Sequence, residues 1–248
     1  MKVVAIIQAR MASSRLPGKV LMKAGKKTLI DRIIDAAKFS DNIEKVYVAT
    51  SNESSDDVLY DYLLQKNISV YRGSLENVFS RFYEISLMEK DNFENIVRLT
   101  ADCPLLDSNI IDETINEHVI NGNDYTSTGL SHSYPLGQAV EVIKIKTLLS
   151  LKNKQLEDLD LEHVTRYIWK RQNEFQCGSK IYVNEKFPNC SELRLTVDQI
   201  EDYILINEII NGLNYDSQKN VSLEEIVDFL YSHPELIEIN KDVKQIQV

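Results

Sequence analysis

Residues 8–19, Gln8-Ala-Arg-Met-Ala-Ser-Ser-Arg-Leu-Pro-Gly-Lys19, place three cations, Arg10, Arg15 and Lys19, among the small residues Ala9, Ala12, Ser13 and Ser14. Small side chains let backbone N–H groups come close to phosphate oxygens, and three cations match the charge of a triphosphate. The alternative is an ordinary basic connection between a strand and a helix. The GxxxxGK[ST] spacing of a Walker loop is absent, because Val20 follows Lys19, and there is no GxGxxG. Two distant aspartates carry complementary chemistry. Asp102 follows the strand-like residues 95–100 and precedes Cys103 and Pro104, and Asp198 follows residues 193–197. A carboxylate just past a strand either caps the next helix or ligates a cation. Two such groups converging on one point suit Mg2+, which takes one or two carboxylates plus phosphate and water oxygens. Glu201, three residues after Asp198, keeps a capping role open for Asp198.

These groups are useful only if the chain brings them to one place. Residues 2–8 read as a buried strand, being short, continuous and β-branched. A helix is expected over 28–39, with Leu29, Ile33, Ile34 and Ala37 on one stripe. Strands follow at 44–50, 68–71 (ending at Arg72 and Gly73) and 95–100, with helices running to about 66 and over 78–90 between them. Strands alternating with helices mean parallel crossovers, and the ligands of such sheets bind beyond the strands' carboxyl ends. The segments after Ile7, Thr50, Tyr71 and Thr100 therefore share one rim.

From Tyr125 the rhythm changes. Strands are expected at 139–143, 178–183 and 193–197, and helices at 146–153, 160–174, 199–212 and 222–232. The last of these helices opens with Ser222 and Glu225 in capping-box spacing. The fold class is α/β with a mixed, mostly parallel central sheet flanked by helices. No linker or repeat divides the chain, so 1–248 reads as one domain. Within it, 1–124 form a nucleotide-binding half, 125–215 an acceptor and oligomer half, and 216–248 a helical tail.

Composition narrows the function. The chain carries 28 basic and 38 acidic residues in 248, a net charge of −10, which disfavours a nucleic-acid partner. Residues 1–30 nonetheless hold Lys2, Arg10, Arg15, Lys19, Lys23, Lys26 and Lys27 and no acid, so positive potential is concentrated there. No apolar run is long enough for a bilayer, so no membrane partner is expected. Three cysteines without a CxxC point to a reducing, cytoplasmic setting with neither disulfides nor zinc.

Arg-x-x-x-x-Arg-Leu-Pro-Gly-Lys after an N-terminal hydrophobic strand resembles the signature of the sugar-activating cytidylyltransferases. These include CMP-KDO synthetase and acylneuraminate cytidylyltransferase, and closest in texture are the spore-coat-polysaccharide cytidylyltransferase-like proteins. Further matches are Tyr71-Arg-Gly-Ser74, Arg98-Leu-Thr-Ala-Asp-Cys-Pro-Leu-Leu106, Glu162-His-Val-Thr-Arg-Tyr167 and Leu193-Arg-Leu-Thr-Val-Asp198. They run from residue 6 to about 203, and the tail past about 215 adds none. The resemblance implies a Rossmann-like nucleotide-diphospho-sugar transferase fold, CTP as substrate and Mg2+ as cofactor. It implies attack of an acceptor oxygen on the α-phosphorus with loss of pyrophosphate, in surface polysaccharide or glycan synthesis. Gln8, Ala9, Arg10, Ser13, Ser14, Arg15, Lys19, Arg72, Gly73 and Ala101 are the implied nucleotide contacts, with Asp102 and Asp198 on the metal and Lys19, Arg10 and Arg15 assisting catalysis. Arg72 is equally readable as a charged turn residue.

Four residues are candidates for the acceptor. His163 and Arg166, expected at i and i+3 on one helical face, could orient or deprotonate a hydroxyl and hold an anion, or Glu162 and its neighbours could simply satisfy a helix terminus. Arg194 shares a strand face with Thr196, opposite Leu193, Leu195 and Val197. Glu141 occupies the second acidic place of a Gly-x-Asp-x-Glu pattern whose first place is Ala139 here, which leaves the acceptor open between a sugar or sugar acid and a sugar or polyol phosphate. A catalytically silent nucleotide-binding subunit is the contrasting reading, and five intact charged residues oppose it. Cys103 has no base at nucleophilic spacing and reads as a buried thiol. A homodimer through second-half strands is consistent with this organisation.

Overall fold

Strand β1 (Val3–Gln8) is buried along almost its whole length, as its run of β-branched residues requires. The computed structural model describes residues 2–217 and 220–245. After β1 come a two-residue hairpin, β2 (Lys23–Ala24) with β3 (Lys27–Thr28), and helix α1 (Leu29–Phe39). The Thr28 hydroxyl caps α1 by accepting from Asp31 N, and Leu29, Ile30, Ile33 and Ile34 are buried. Three more β–α steps follow: β4 (Ile43–Ser51) and α2 (Asp57–Gln65), β5 (Ser69–Gly73) and α3 (Val78–Glu89), β6 (Asn95–Thr100) and α4 (Ser108–Ile120). The second half contains β7 (Tyr125–Ser127), β8 (Glu141–Lys144), α5 (Ile145–Ser150), α6 (Asp158–Glu162), α7 (Arg166–Trp169), β9 (Cys177–Gly178), α8 (Ile200–Gly212), α9 (Leu223–Ser232) and α10 (Pro234–Ile237).

The large sheet runs β5-β4-β1-β6-β8-β7-β9. β5, β4, β1 and β6 are mutually parallel, β8 is antiparallel to both neighbours, and β7 pairs parallel with β9. The fold is therefore α/β with a mixed, mostly parallel sheet. Alternate residues of β1 enter two cores. Val3, Ala5 and Ile7 pack towards α1, α4, α8 and α9, and Val4 and Ile6 pack towards α3 and α5. The register sets Gln8 beside Ala49 and Thr100, so the ends of the central strands form a common rim.

The second half departs from its sequence pattern in four places. The strand expected at 139–143 begins only at Glu141, because Gly137 turns the chain with φ 106. The strand expected at 178–183 is two residues long. β7 ends at Ser127 and leaves nothing to pair with, so Ser179 Oγ donates to Ser127 O while Ile181 and Val183 stay exposed. Residues 193–197 make one bridge, Leu136 to Arg194, because they are wedged between two loops rather than two strands. The helix expected over 160–174 breaks after Glu162, where Val164 adopts φ 47. Glu162 and His163 therefore close α6 instead of opening a helix, and Arg166 starts a separate one. The capping box at Ser222 and Glu225 forms as expected.

Helix α4 is tied to the sheet through a buried histidine. His118 lies between Thr126 Oγ1 and Asn95 Oδ1, each 3.1 Å away. Asn95 Oδ1 can only accept, which makes Nε2 the protonated nitrogen of a neutral ring. Burial, helped by Lys144, pushes this imidazole down to about 4. The stability it contributes is complete above the free imidazole value near 6.5 and is lost as pH falls towards 4, because only the unfolded chain takes up the proton. Between pH 6.5 and 4.5 the native protein should lose about 2 kcal/mol more stability than His118→Gln, measured by urea unfolding at each pH. Equal losses would contradict this.

Candidate functional site

Past Gln8 the chain stays on the rim. Ala9 N donates to Ala49 O, and Met11 N donates to Asp56 Oδ1 at 2.7 Å. Ser13 N and Gly18 N both donate to Met11 O, which folds residues 11–18 into a closed loop with Ser14 exposed on it. Gly18, at φ 72, then reverses the backbone into a turn that points Lys19 inward.

Lys19 is 8% exposed, and its ammonium has three oxygen partners: Asp102 Oδ2 at 3.0 Å, Asp198 Oδ1 at 3.0 Å and Val197 O at 2.7 Å. Arg15 adds a contact to Asp198 Oδ1 at 2.9 Å. The two aspartates meet because their backbones are joined directly. Val197 N and Thr196 Oγ1 both donate to Asp102 O, while Leu195 N donates to Leu136 O on the other side. Gly137 leaves room for this crossing, since a Cβ there would lie 2.5 Å from Leu195 C.

A second layer lies behind Asp198. Arg194 donates to Asp198 Oδ2 at 2.8 Å and to Asp202 Oδ1 at 2.8 Å, and Asp202 accepts from the backbone N–H groups of Asp198 and Gln199. Asn240 Nδ2 donates to Asp202 Oδ1, and Gln245 Oε1 accepts from Arg194. Gln199, not Asp198, caps α8, with Asp202 closing the capping box, so Asp198 is free of the capping role. Sequence reasoning missed Asp202 and the tail residues. The three-residue spacing of Gln199 and Asp202 was the available signal, and nothing in the sequence pointed to Asn240.

The electrostatics follow from burial and pairing. Burial penalises the Lys19 ammonium, but the charges and hydrogen bonds of Asp102 and Asp198 outweigh it and hold its pKa above the ordinary lysine value. Burial likewise opposes ionisation of Asp198, but Lys19, Arg15 and Arg194 together hold its carboxyl below the usual range. Burial and the Asp102 charge push the Cys103 thiol up to about 12, so it is no nucleophile at neutral pH.

The remaining candidates fall into separate groups. Arg10 is half-buried and, among the described residues, has no hydrogen-bond or ion-pair partner. Arg72 donates to Ser51 O and Glu53 O and pairs with Asp57 at 2.7 Å, which braces the loop after β4. Gly73 leaves space for Arg81, whose Cγ would be 2.8 Å from a Cβ there. Arg81 is wholly buried and donates to Ala49 O, and desolvation brings its guanidinium down to about 10. Ala101 N donates to Gln8 O, and Gln8 Oε1 accepts from Arg98.

Glu141 centres a different cluster. It pairs with Arg98 and accepts from Tyr125 Oη and Thr165 Oγ1, each at 2.6 Å. Burial opposes its ionisation, and Arg98 with the two hydroxyls keeps it below the usual carboxylate range. His163 lies within electrostatic reach of this cluster, and burial holds its imidazole below the ordinary value. Arg166 is buried against Asp160 at 2.7 Å and Glu157 at 3.0 Å, so it joins α6 to α7 and does not share a helical face with His163. The structure thus unites Arg15, Lys19, Asp102, Asp198 and Arg194, and leaves His163 within electrostatic reach of Glu141, Arg98 and Arg166.

The chain is similar in sequence and fold to known proteins. Residues 4–242 match the cytidylyltransferase family model. The chain is 34% identical over 235 residues to the spore coat polysaccharide biosynthesis protein SpsF of Bacillus subtilis, covering 93% of this chain and 94% of SpsF. A solved cytidylyltransferase from Leptospira borgpetersenii superposes over 100% of both chains with a TM-score of 0.86 at 29% identity. A CMP:2-keto-3-deoxy-manno-octonic acid synthetase, solved in complex with CTP, shares the fold at 13% identity, with a TM-score of 0.62 over 86% of this chain and 100% of its own. The basic loop that opens the chain, the rim it shares with Asp102 and Asp198, and a match spanning nearly every residue all lead to one conclusion: the chain belongs to the cytidylyltransferase family of nucleotidyltransferases.

Proposed function

We propose that this protein transfers CMP from CTP to a sugar or sugar-like acid, releasing pyrophosphate, in the synthesis of a surface polysaccharide or glycan. The observation that carries this reading is the Lys19 ammonium held at once by Asp102 and Asp198, carboxylates 96 residues apart in sequence (198 minus 102), on the rim that the basic loop crosses. The likeness to SpsF supports the polysaccharide setting, and the CTP bound by the octonic acid synthetase supports the nucleotide.

The donor set fits a hard divalent cation such as Mg2+, because two carboxylates already share one cation, the Lys19 ammonium. Asp102 and Asp198 would hold it, and when bound it neutralises charge on the α- and β-phosphates. The rest falls to the chain's own residues. Arg10, which has no hydrogen-bond or ion-pair partner among the described residues, and Arg15 and Lys19 bind the β- and γ-phosphates and stabilise the charge of departing pyrophosphate. Arg194 keeps Asp198 ionised and oriented. Glu141 and Arg98 lie within electrostatic reach of His163. The neutral His163 ring accepts the proton of the acceptor hydroxyl as its oxygen bonds to the α-phosphorus and the bond to the β-phosphate bridging oxygen breaks. Arg166 and Arg194 are already neutralised by aspartate and glutamate, which favours an acceptor without a phosphate over a phosphorylated one.

Pyrophosphate release with each NTP, Mg2+ and a panel of acidic sugars and sugar phosphates tests the reading. CTP with an acidic sugar should be the active pair, and release only with sugar phosphates would move the acceptor to the other class. Asp102→Ala and Asp198→Ala should each abolish release while unfolding stays cooperative, and normal release by both would remove the metal assignment. Lys19→Ala should slow release roughly a hundred- to thousandfold, the cost typical of losing one preorganised charge contact. A threefold change would reduce Lys19 to a structural ion pair.

A further inference from the structure

The three oxygens around Lys19 Nζ, from Asp102, Asp198 and Val197, form the kind of cage a hard metal ion also takes. The charges in and behind it balance: Lys19, Arg15 and Arg194 face Asp102, Asp198 and Asp202. A dication approaching this cluster meets no net negative charge and finds its place between the carboxylates taken by an ammonium. Among the described residues no three His, Cys, Asp or Glu side chains gather as metal ligands, so further ligands must come from substrate oxygens and water. A triphosphate supplies both missing elements, oxygens for the ion and negative charge to draw Lys19 away.

We infer that Lys19 is an exchangeable internal cation: it occupies the position between Asp102 and Asp198 in the nucleotide-free protein and passes to the phosphates when the nucleotide arrives, so that the metal enters only with the nucleotide. This rests on the metal assignment proposed above. Metal and nucleotide are then strongly coupled, each tightening the other by the same factor. The exchange makes Lys19 a gate on metal loading as well as a phosphate contact. Losing the Lys19 charge leaves the cluster one unit negative and its cage open, which should raise metal affinity without nucleotide even as catalysis is lost.

Mn2+, which favours the same octahedral oxygen sites, is the probe, with binding read from the electron paramagnetic resonance signal of the free ion. The native protein is titrated with and without the non-hydrolysable α,β-methylene analogue of CTP, and metal bound by the analogue alone is subtracted. Lys19→Met is titrated without nucleotide. The native protein should bind Mn2+ at least tenfold more tightly with the analogue than without it, and nucleotide-free Lys19→Met should bind at least tenfold more tightly than the nucleotide-free native protein. Should Lys19→Met fail to fold, Lys19→Gln is titrated in its place, and a folded variant that binds Mn2+ no more tightly than the nucleotide-free native protein overturns the exchange. Equal Mn2+ affinity in the native protein with and without nucleotide overturns the exchange and leaves the metal assignment standing. Analogue binding measured by calorimetry with no Mn2+ taken up in any form overturns the metal assignment and the exchange with it.

Discussion

The ammonium of Lys19 is buried, and a buried charge is tolerated only where it is paired and hydrogen-bonded. That requirement organises the molecule around it. Residues 19, 102 and 198 must meet from three different parts of the chain, and each approach has its own device. Gly18 takes the left-handed backbone that turns Lys19 in, Thr196 and Val197 fasten the second aspartate to the carbonyl of the first, and Arg194 with Asp202 fixes the carboxylate from behind. Removing any one partner leaves an uncompensated charge beneath the rim, and the tail after α9 adds hydrogen bonds to this network through Asn240 and Gln245.

Strand direction accounts for why chemistry collects at this edge. β5, β4, β1 and β6 all run the same way, so the connections leaving them open on one side. The antiparallel β8 then enters the sheet from that side, which sets Glu141 beside Arg98. One edge therefore holds two polar centres: the charge-balanced cluster around Lys19, Asp102 and Asp198, and the cluster of Glu141 with Arg98, Tyr125 and Thr165. Gln8 links them, ending β1 and accepting from Arg98.

The first half was legible because its signals are local. A continuous β-branched strand followed by an amphipathic helix, repeated, leaves little freedom in topology, and the positions of Lys19 after β1 and Asp102 after β6 brought them to one rim. The second half was not, because its backbone is held by distant loops. Residues 193–197 have strand composition but bond to Leu136 and Asp102, and the apolar alternation of 178–183 runs past the end of β7, whose pairing on this side is limited to Cys177 and Gly178. Val164 breaks a helix with a left-handed turn that a β-branched residue rarely adopts, so no pattern announced it, and Arg166 turns to Asp160 and Glu157 instead of sharing a helical face with His163. Asp202 and Asn240 were hidden for a related reason: an acid in a first helical turn resembles a cap, and an isolated amide resembles nothing.

The claim on which all else depends concerns the meeting of one lysine, two aspartates and a triphosphate. A crystal structure of the protein with Mg2+ and a non-hydrolysable CTP analogue tests it most directly. The triphosphate should lie against the 9–19 loop, with the Lys19 ammonium on its phosphate oxygens and Asp102 and Asp198 on one metal ion. A nucleotide seated elsewhere, with Lys19 still gripping both aspartates, would contradict it.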